Sequence, residues 1–364
     1  KGNYTRSPQV LPGYIFESSS CVAAADYDGD GDMDLFSGTR LKPFSYGTVC
    51  KSYILQNNGK GIFTDVTDKV APELIRAGMV TDAAWFDYDK DNKPDLVIAG
   101  EYMPVKIWHN EGAGKLKEVT AAASMSKTHG WWNRIQVSDV NNDGYPDIIA
   151  ANHGLNSRFK ATEQKPVTMY AGDFGNNGTT QQVITCYNGD SAYPMVLRHD
   201  LVSVLPALKK KYLKYESYKN QTITDIFTTE QLSRATKNEA YTMQSTVYIN
   251  HKNGTFTASP LPAAAQLSSM YAVAAADYDG DGNTDILMAG NFYESKPEAG
   301  IYDASYGVLL KGDGSGNFRA LGAQQSGISI RGAVRDMMQV KVGNKNLMIV
   351  ALNNQAVKIL TIHK

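Results

Sequence analysis

Short apolar runs broken by clusters of Asp, Asn and Gly recur along the chain. A small or apolar run (21–25, 83–86, 135–137, 272–276) leads into an acidic nonapeptide, and a second one leads out of it (35–36, 96–99, 148–150, 286–289). Apolar runs this short, bounded by turn residues, predict strands rather than helices. Farther on, YILQNNGKGIF (53–63), KIWHNEGAGKL (106–116), VYINHKNGTF (247–256) and VLLKGDGSGNF (308–318) place apolar positions on both sides of a Gly/Asn turn. That is the pattern of a β-hairpin. The unit is therefore strand A, acidic loop, strand B, connection, strand C, Gly turn, strand D. Four antiparallel strands repeated in this way predict an all-β fold, a β-propeller of four-stranded blades.

The acidic nonapeptides are DYDGDGDMD (26–34), DYDKDNKPD (87–95), DVNNDGYPD (139–147) and DYDGDGNTD (277–285), with a worn copy, DFGNNGTTQ, at 173–181. A last copy near Asp336 keeps its strands but has lost the loop. Six blades are counted, with a seventh allowed if 152–200 hides another. Residues 2–8 read as a strand D that would complete the three C-terminal strands and close the ring. The whole chain, 1–364, reads as a single propeller domain with a helical insert near 200–245. There Leu201, Val204, Leu205, Leu208 and Tyr212 fall at helical spacing, and Thr228 with Gln231 reads as a capping box. The insert is either a solvated excursion on the rim or a cover over one face that contributes to a partner site.

Composition changes the picture only in part. With 36 basic and 37 acidic side chains the formal net charge is −1, without the basic footprint of a nucleic-acid binder. No apolar run is long enough to span a bilayer, so no direct membrane span is expected. Cys21, Cys50 and Cys186 lack CxxC spacing; they read as free thiols, with a Cys21–Cys50 disulfide as the alternative.

The loops carry the chemistry. Positions 1, 3, 5 and 9 present oxygen side chains: Asp26, Asp28, Asp30 and Asp34; Asp87, Asp89, Asp91 and Asp95; Asp139, Asn141, Asp143 and Asp147; Asp277, Asp279, Asp281 and Asp285. Position 7 (Asp32, Lys93, Tyr145, Asn283) is expected to offer its backbone carbonyl. Ca²⁺ takes six to eight hard oxygens, and such a run wraps carboxylates around one ion. About four Ca²⁺ are expected, with the 173–181 copy empty. These loops hold 16 of the acidic residues, so four ions would bring the formal charge to about +7 and sequester the acids at one end.

The Asp-x-Asp-x-Asp-Gly loops with Asn-Asn-Gly-x-Gly-x-Phe hairpins resemble FG-GAP/VCBS repeat propellers, related to integrin α-subunit and cartilage acidic protein heads. More narrowly, GWWNR (130–134), GLNSR (154–158), LKKKY (208–212) and YDASY (302–306) resemble the C-terminal propeller of Bacteroidota surface proteins that carry VCBS repeats with an ASPIC/UnbV segment. The resemblance implies an exported calcium-binding recognition module, extracellular or on the outer-membrane surface. Its partners would be a glycan or a surface protein complex such as an outer-membrane nutrient importer. It also implies a longer parent chain, with the signal or lipid anchor outside the given sequence.

No HExxH pair, Walker A loop or nucleophile–base pairing is visible, so no catalytic residue is assigned and a non-enzyme is expected. The alternative is a calcium-dependent polysaccharide lyase or hydrolase. Blade geometry puts the acidic loops at one end and the B–C connections at the other. The candidate ligand-binding face at that second end comprises Arg40, Glu101, Tyr102, Trp131, Trp132, Asn133, Arg134, Asn152, His153, Asn156, Asn291, Tyr293 and Asn353. Exposed aromatics among amides and arginines suit stacking and hydrogen bonding. The competing reading buries at least one of Trp131 and Trp132 between blades.

Overall fold

The computed structural model describes residues 5–11 and 17–362. Each acidic-loop unit begins an antiparallel sheet. The first contains β1 (Ser18–Ala25), β2 (Asp34–Leu41), β3 (Tyr53–Asn57) and β4 (Phe63–Asp65) in chain order. A short helix, α1 (Thr67–Val70), follows, and the Thr67 hydroxyl accepts the Ile54 N–H at 2.9 Å. The second sheet contains β5 (Met79–Phe86), β6 (Asp95–Met103), β7 (Lys106–Gly112) and β8 (Lys115–Glu118), and a two-residue strand, β9 (Gly130–Trp131), pairs with the end of β6.

The third sheet is interrupted. After β10 (Arg134–Ser138) and β11 (Asp147–Ala151) the chain leaves it and builds another: β12 (Val167–Gly172), β13 (Gln181–Asn188), β14 (Ser191–Pro194) and β15 (Thr236–Ala240). The order of this inserted sheet is β14-β13-β12-β15, with the worn acidic copy as its β12–β13 turn. Helices α2 (Arg198–Val204), α3 (Ile223–Ile226) and α4 (Thr229–Arg234) lie between β14 and β15. Only then do β16 (Thr246–Asn250) and β17 (Phe256–Pro260) complete the third sheet. A fourth sheet, β18 (Met270–Ala276), β19 (Asp285–Gly290), β20 (Val308–Gly312) and β21 (Phe318–Leu321), and a terminal one, β22 (Val334–Val342), β23 (Lys345–Leu352) and β24 (Lys358–Ile362), follow.

Strand B of the second, third and fourth sheets (β6, β11 and β19) is buried on both faces, which accounts for its unbroken apolar run. Alternation assigns each side chain to one neighbour. Leu96 and Ile98 of β6 pack with Phe36 and Ile54 of the first sheet, while Val97 and Ala99 pack with Ile148 and Ala150 of the third. Ile149 and Ala151 of β11 then meet Ile286 and Met288 of the fourth, whose Leu287 and Ala289 meet Met348 and Val350 of the terminal sheet. Five blade-like sheets thus stand in a row, each sharing an apolar seam with the next. Gly100, within β6, and Gly290, at the end of β19, lie where the backbone entering strand A comes closest. A Cβ there would lie 2.1 Å from the Met79 carbonyl oxygen or 1.8 Å from that of Ser269.

Three expectations change. The 173–181 unit, counted as a blade, is nested inside the third sheet and has its own strand order. The strand expected at 2–8 lies partly outside the described residues. Residues 5–11 form no strand, and the terminal sheet has three strands among the described residues. Gln9 instead clasps Phe63 on β4, donating to its carbonyl at 2.8 Å and accepting its N–H at 3.1 Å. The row ends in uncovered apolar side chains, Val22 on β1 and Met338, Val342 and Ile359 on the terminal sheet. Finally, the helical spacing over 201–212 is broken by Pro206, which ends α2 and leaves Val204 exposed while Leu201, Leu205 and Tyr212 stay buried.

Candidate metal loops and a capped cavity

The four complete acidic loops share one hydrogen-bond scheme. The position-1 carboxylate accepts the N–H of position 6: Gly31 to Asp26, Asn92 to Asp87, Gly144 to Asp139 and Gly282 to Asp277. The position-5 carboxylate accepts the N–H of position 7, from Asp32, Lys93, Tyr145 or Asn283. Backbone N–H groups thereby curl the loop and leave carboxylate oxygens crowded inside it. Oxygens of Asp26, Asp28 and Asp34 lie within 4.8 Å of one another, as do those of Asp87, Asp89 and Asp91, and those of Asp277, Asp279 and Asp285. His109 joins Asp89 and Asp95 in a further group of this kind. Two buried oxygens in the first loop, Asp32 Oδ1 and Asp34 Oδ2, have no hydrogen-bond partner among the described residues. A hard divalent cation fits this donor set.

Local cations partly neutralise three of the loops. Lys93 pairs with Asp91 at 2.5 Å, Lys252 with Asp143 at 3.5 Å, and Lys311 with Asp279 and Asp281. For the first loop, Gln56 donates to Asp28 at 2.5 Å, a neutral partner.

Position 9 does a different job. Asp34, Asp95, Asp147 and Asp285 are buried and accept the N–H of Asn57, Asn110, Asn250 and Gly312, at the start of their own Gly hairpins, at 2.7–2.9 Å. Each therefore bolts its loop to strand C. The hairpin asparagines extend the bolt to the preceding sheet. Asn110 Nδ2 donates to the Tyr27 carbonyl in the first loop at 2.7 Å, and Asn250 Nδ2 to that of Tyr88 in the second at 2.8 Å. Where Gly312 replaces the asparagine, Thr284 donates to the Asp139 carbonyl at 2.9 Å and Asn142 to the Asn283 side chain at 2.8 Å. Asp95, Asp147 and Asp285 also latch their own loops by accepting the position-2 N–H, and in the worn copy Gln181 supplies this latch through its amide, accepting the Phe174 N–H at 2.9 Å.

At the opposite end the inserted sheet and α2 roof a cavity of about 600 Å³. Its walls come from several sheets: Arg40 from the first, Glu101 and Tyr102 from the second, Trp131, Asn133 and His153 around the third, and Tyr271 and Phe292 from the fourth. The roof supplies Met169, Ile184, Met195 and Leu197. Arg40 grips Glu101 through Nε and Nη2 at 3.3 and 2.7 Å, and the Tyr46 hydroxyl donates to the same carboxylate at 2.7 Å. Trp131 is edge-on to Tyr102, His153 and Phe159, with ring centroids 4.7–5.2 Å apart.

A sequence profile of the FG-GAP-like repeat matches residues 87–150 and 223–288, segments that hold the second, third and last of the complete acidic loops. The chain carries FG-GAP-like repeats. No curated protein matches it in sequence. Among solved structures it is similar to the V. cholerae biofilm matrix protein Bap1, at 14% identity and a TM-score of 0.33, over 96% of this chain and 54% of that one. This chain therefore spans about half the length of that structure.

Of the residues expected on the ligand face, Arg40, Glu101, Tyr102, Trp131, Asn133 and His153 line the cavity. Trp132 does not: it is fully buried between the second and third sheets, donating its indole N–H to the Thr128 carbonyl at 2.9 Å. Arg134 is held by Asp82 and Asp336. Asn152 and Asn291 are buried brackets. Asn152 accepts the N–H of Trp131 and His153 and donates towards Thr242 and Gln244, while Asn291 ties Ser305 to Gly332. Asn156 caps the Leu267 carbonyl, Asn353 donates to Glu294, and Tyr293 lies outside the cavity lining. The sequence reading missed Tyr46, Phe159, Tyr271 and Phe292, aromatics without a motif, and the roof. Tyr302 and Arg158, which end or begin two of the quoted motifs, also line it. The three cysteines are free, and burial pushes the Cys21 thiol up to about 12.

Burial raises Asp34, Asp95 and Asp147 to about 6, above the unfolded carboxylate value. A group raised on folding binds protons more readily in the folded state, so metal-free stability falls as pH rises towards 6. The metal-loaded form behaves oppositely, because protons compete with the ion. In EDTA these three carboxylates should therefore favour pH 5 over pH 7, against the opposite pull of the buried His129 and His153, both held down by burial, while the calcium-induced increment should be smaller at pH 5. Thermal melts at the two pH values check both signs.

Proposed function

We propose that this chain is an exported, non-enzymatic recognition module. It is a β-propeller whose acidic loops hold calcium at one end and whose opposite end binds a glycan or protein ligand. The observation that carries the reading is the roofed aromatic cavity, built by side chains from four sheets and the insert at the end away from the loops. Concave, mostly apolar sites with a few convergent polar groups are the usual form of a ligand site.

The carboxylates in the cavity support binding over catalysis. Glu101 is engaged by Arg40 and Tyr46, Asp200 by Lys296 at 3.2 Å and His199 at 3.1 Å, and Glu294 by Asn353. Calcium acts at a distance in this reading, fixing the sheets that carry the walls.

Leu197 tests the site without touching the core, since it lines the cavity yet is 37% exposed. Leu197→Trp should fill the mouth, leave the melting temperature within about 1 °C, and abolish binding on a combined glycan and peptide array. A ligand bound equally well by both proteins would place recognition elsewhere.

A further inference from the structure

We infer that the cavity recognises an uncharged carbohydrate, whose ring hydroxyl groups pair with the adjoining His153 and Tyr302 side chains. This deepens the recognition reading and rests on it.

The first ground is a pair of buried polar atoms. His153 and Tyr302 both line the cavity and both are 8% exposed. Their Nε2 and Oη have no hydrogen-bond partner among the described residues. The two rings meet edge to face with centroids 4.8 Å apart, so they form one continuous patch of the wall. Leaving a buried polar atom unpaired is costly. The arrangement is therefore held ready for a partner.

The second ground is the protonation chemistry of that pair. His153 Nδ1 is 2.8 Å from the Ser269 hydroxyl, which also lies 3.3 Å from the His153 carbonyl. Burial holds the imidazole down at about 4, so the ring is neutral at pH 7. A neutral imidazole with Nδ1 engaged offers Nε2 as either donor or acceptor, according to the tautomer. A phenol offers both roles. A sugar hydroxyl is donor and acceptor at once, so it satisfies either tautomer. A carboxylate, which only accepts, satisfies the Nε2–H tautomer alone.

The third ground is charge. Three basic side chains (Arg40, Arg158, Lys296) and three acidic ones (Glu101, Asp200, Glu294) line the cavity, so the formal charges cancel. The Arg40 fork is spent on Glu101, and Lys296 on Asp200. Arg158 is engaged as well, so an anionic ligand would have to break one of these interactions. The surrounding aromatic walls suit the C–H faces of a sugar ring.

Isothermal titration of the calcium-loaded protein tests this, with neutral hexose oligomers (gluco-, manno- and galacto-configured), uronic-acid oligomers and short peptides, each with and without 0.5 M NaCl. At least one neutral oligomer should bind with a salt-insensitive Kd. Tyr302→Phe, which removes one hydroxyl and keeps the ring, should weaken it at least tenfold with an unchanged melting temperature. Binding confined to uronates or peptides, or a neutral-sugar affinity indifferent to Tyr302→Phe, overturns the inference and leaves the recognition reading standing. If no probe of any class binds and Leu197→Trp changes nothing on the array, both fall.

Discussion

Chelation with EDTA is expected to lower the melting temperature by at least about 10 °C, and excess calcium to restore it. A ligand present at a hundred times its Kd stabilises the folded state by about 2.7 kcal/mol per site. Four such loops would together contribute about 10 kcal/mol, and for a chain of this size each kcal/mol corresponds to roughly 1–2 °C, somewhat below the shift in smaller domains. The effect should be unequal among loops. Lysines sit against the acids of the other three complete loops, whereas Gln56 at Asp28 brings no charge. The first loop also holds the partnerless Asp32 Oδ1 and Asp34 Oδ2. Asp28→Asn should therefore remove more of the calcium-dependent increment than Asp89→Asn. A melting temperature indifferent to EDTA would end the calcium assignment.

Asn250→Ala should be strongly destabilising, by about 3 kcal/mol in urea unfolding. The side chain is 1% exposed. Its amide donates to the Tyr88 carbonyl at 2.8 Å and the Pro146 carbonyl at 3.2 Å, and its oxygen accepts the Lys252 N–H at 2.9 Å. Truncation strands two carbonyls and one N–H, each buried group left without a partner costing about 1–3 kcal/mol before relaxation. Tyr88 belongs to the second acidic loop, so the variant should also weaken calcium binding there, although Asn250 is not a loop residue. A calcium titration of Asn250→Ala against wild type, followed by thermal shift, reads this coupling. Unchanged affinity would show that the bridge is structural only.

The repeat was legible because its signals are local. An Asp at position 9 with an Asn at the start of the Gly hairpin marks a loop and the bolt that holds it, and both recur in register. The nested sheet was not legible for the same reason. Gln181 reproduces the Asp latch, so the 173–181 turn looks like any other unit, while the pairing of β12 with β15 joins residues such as Met169 and Asn238 that no local pattern links. On the ligand face, chemistry alone could not separate Asn133, which lines the cavity, from Asn152 and Asn291, whose amides serve buried backbone. An asparagine at a strand end has the same sequence signature in either role. The roof residues Met195, Val196 and Leu197 carry no chemical signature, and only the fold brings them over Trp131.

The interruption of the third sheet has a consequence for how the chain is made. The first two sheets are contiguous in sequence and can be finished as soon as their own residues leave the ribosome. The third must hold its first half, β10 and β11, in waiting until β16 and β17 arrive on the far side of residues 152–245. Closing so long an unstructured loop carries an entropy penalty, which a collapsed insert largely removes. Asn152, whose N–H meets the Ser245 hydroxyl at 3.0 Å and whose amide reaches the Thr242 and Gln244 carbonyls, pinches the two ends of the insert together. The insert that roofs the cavity thus also brings the two halves of the third sheet within reach of one another.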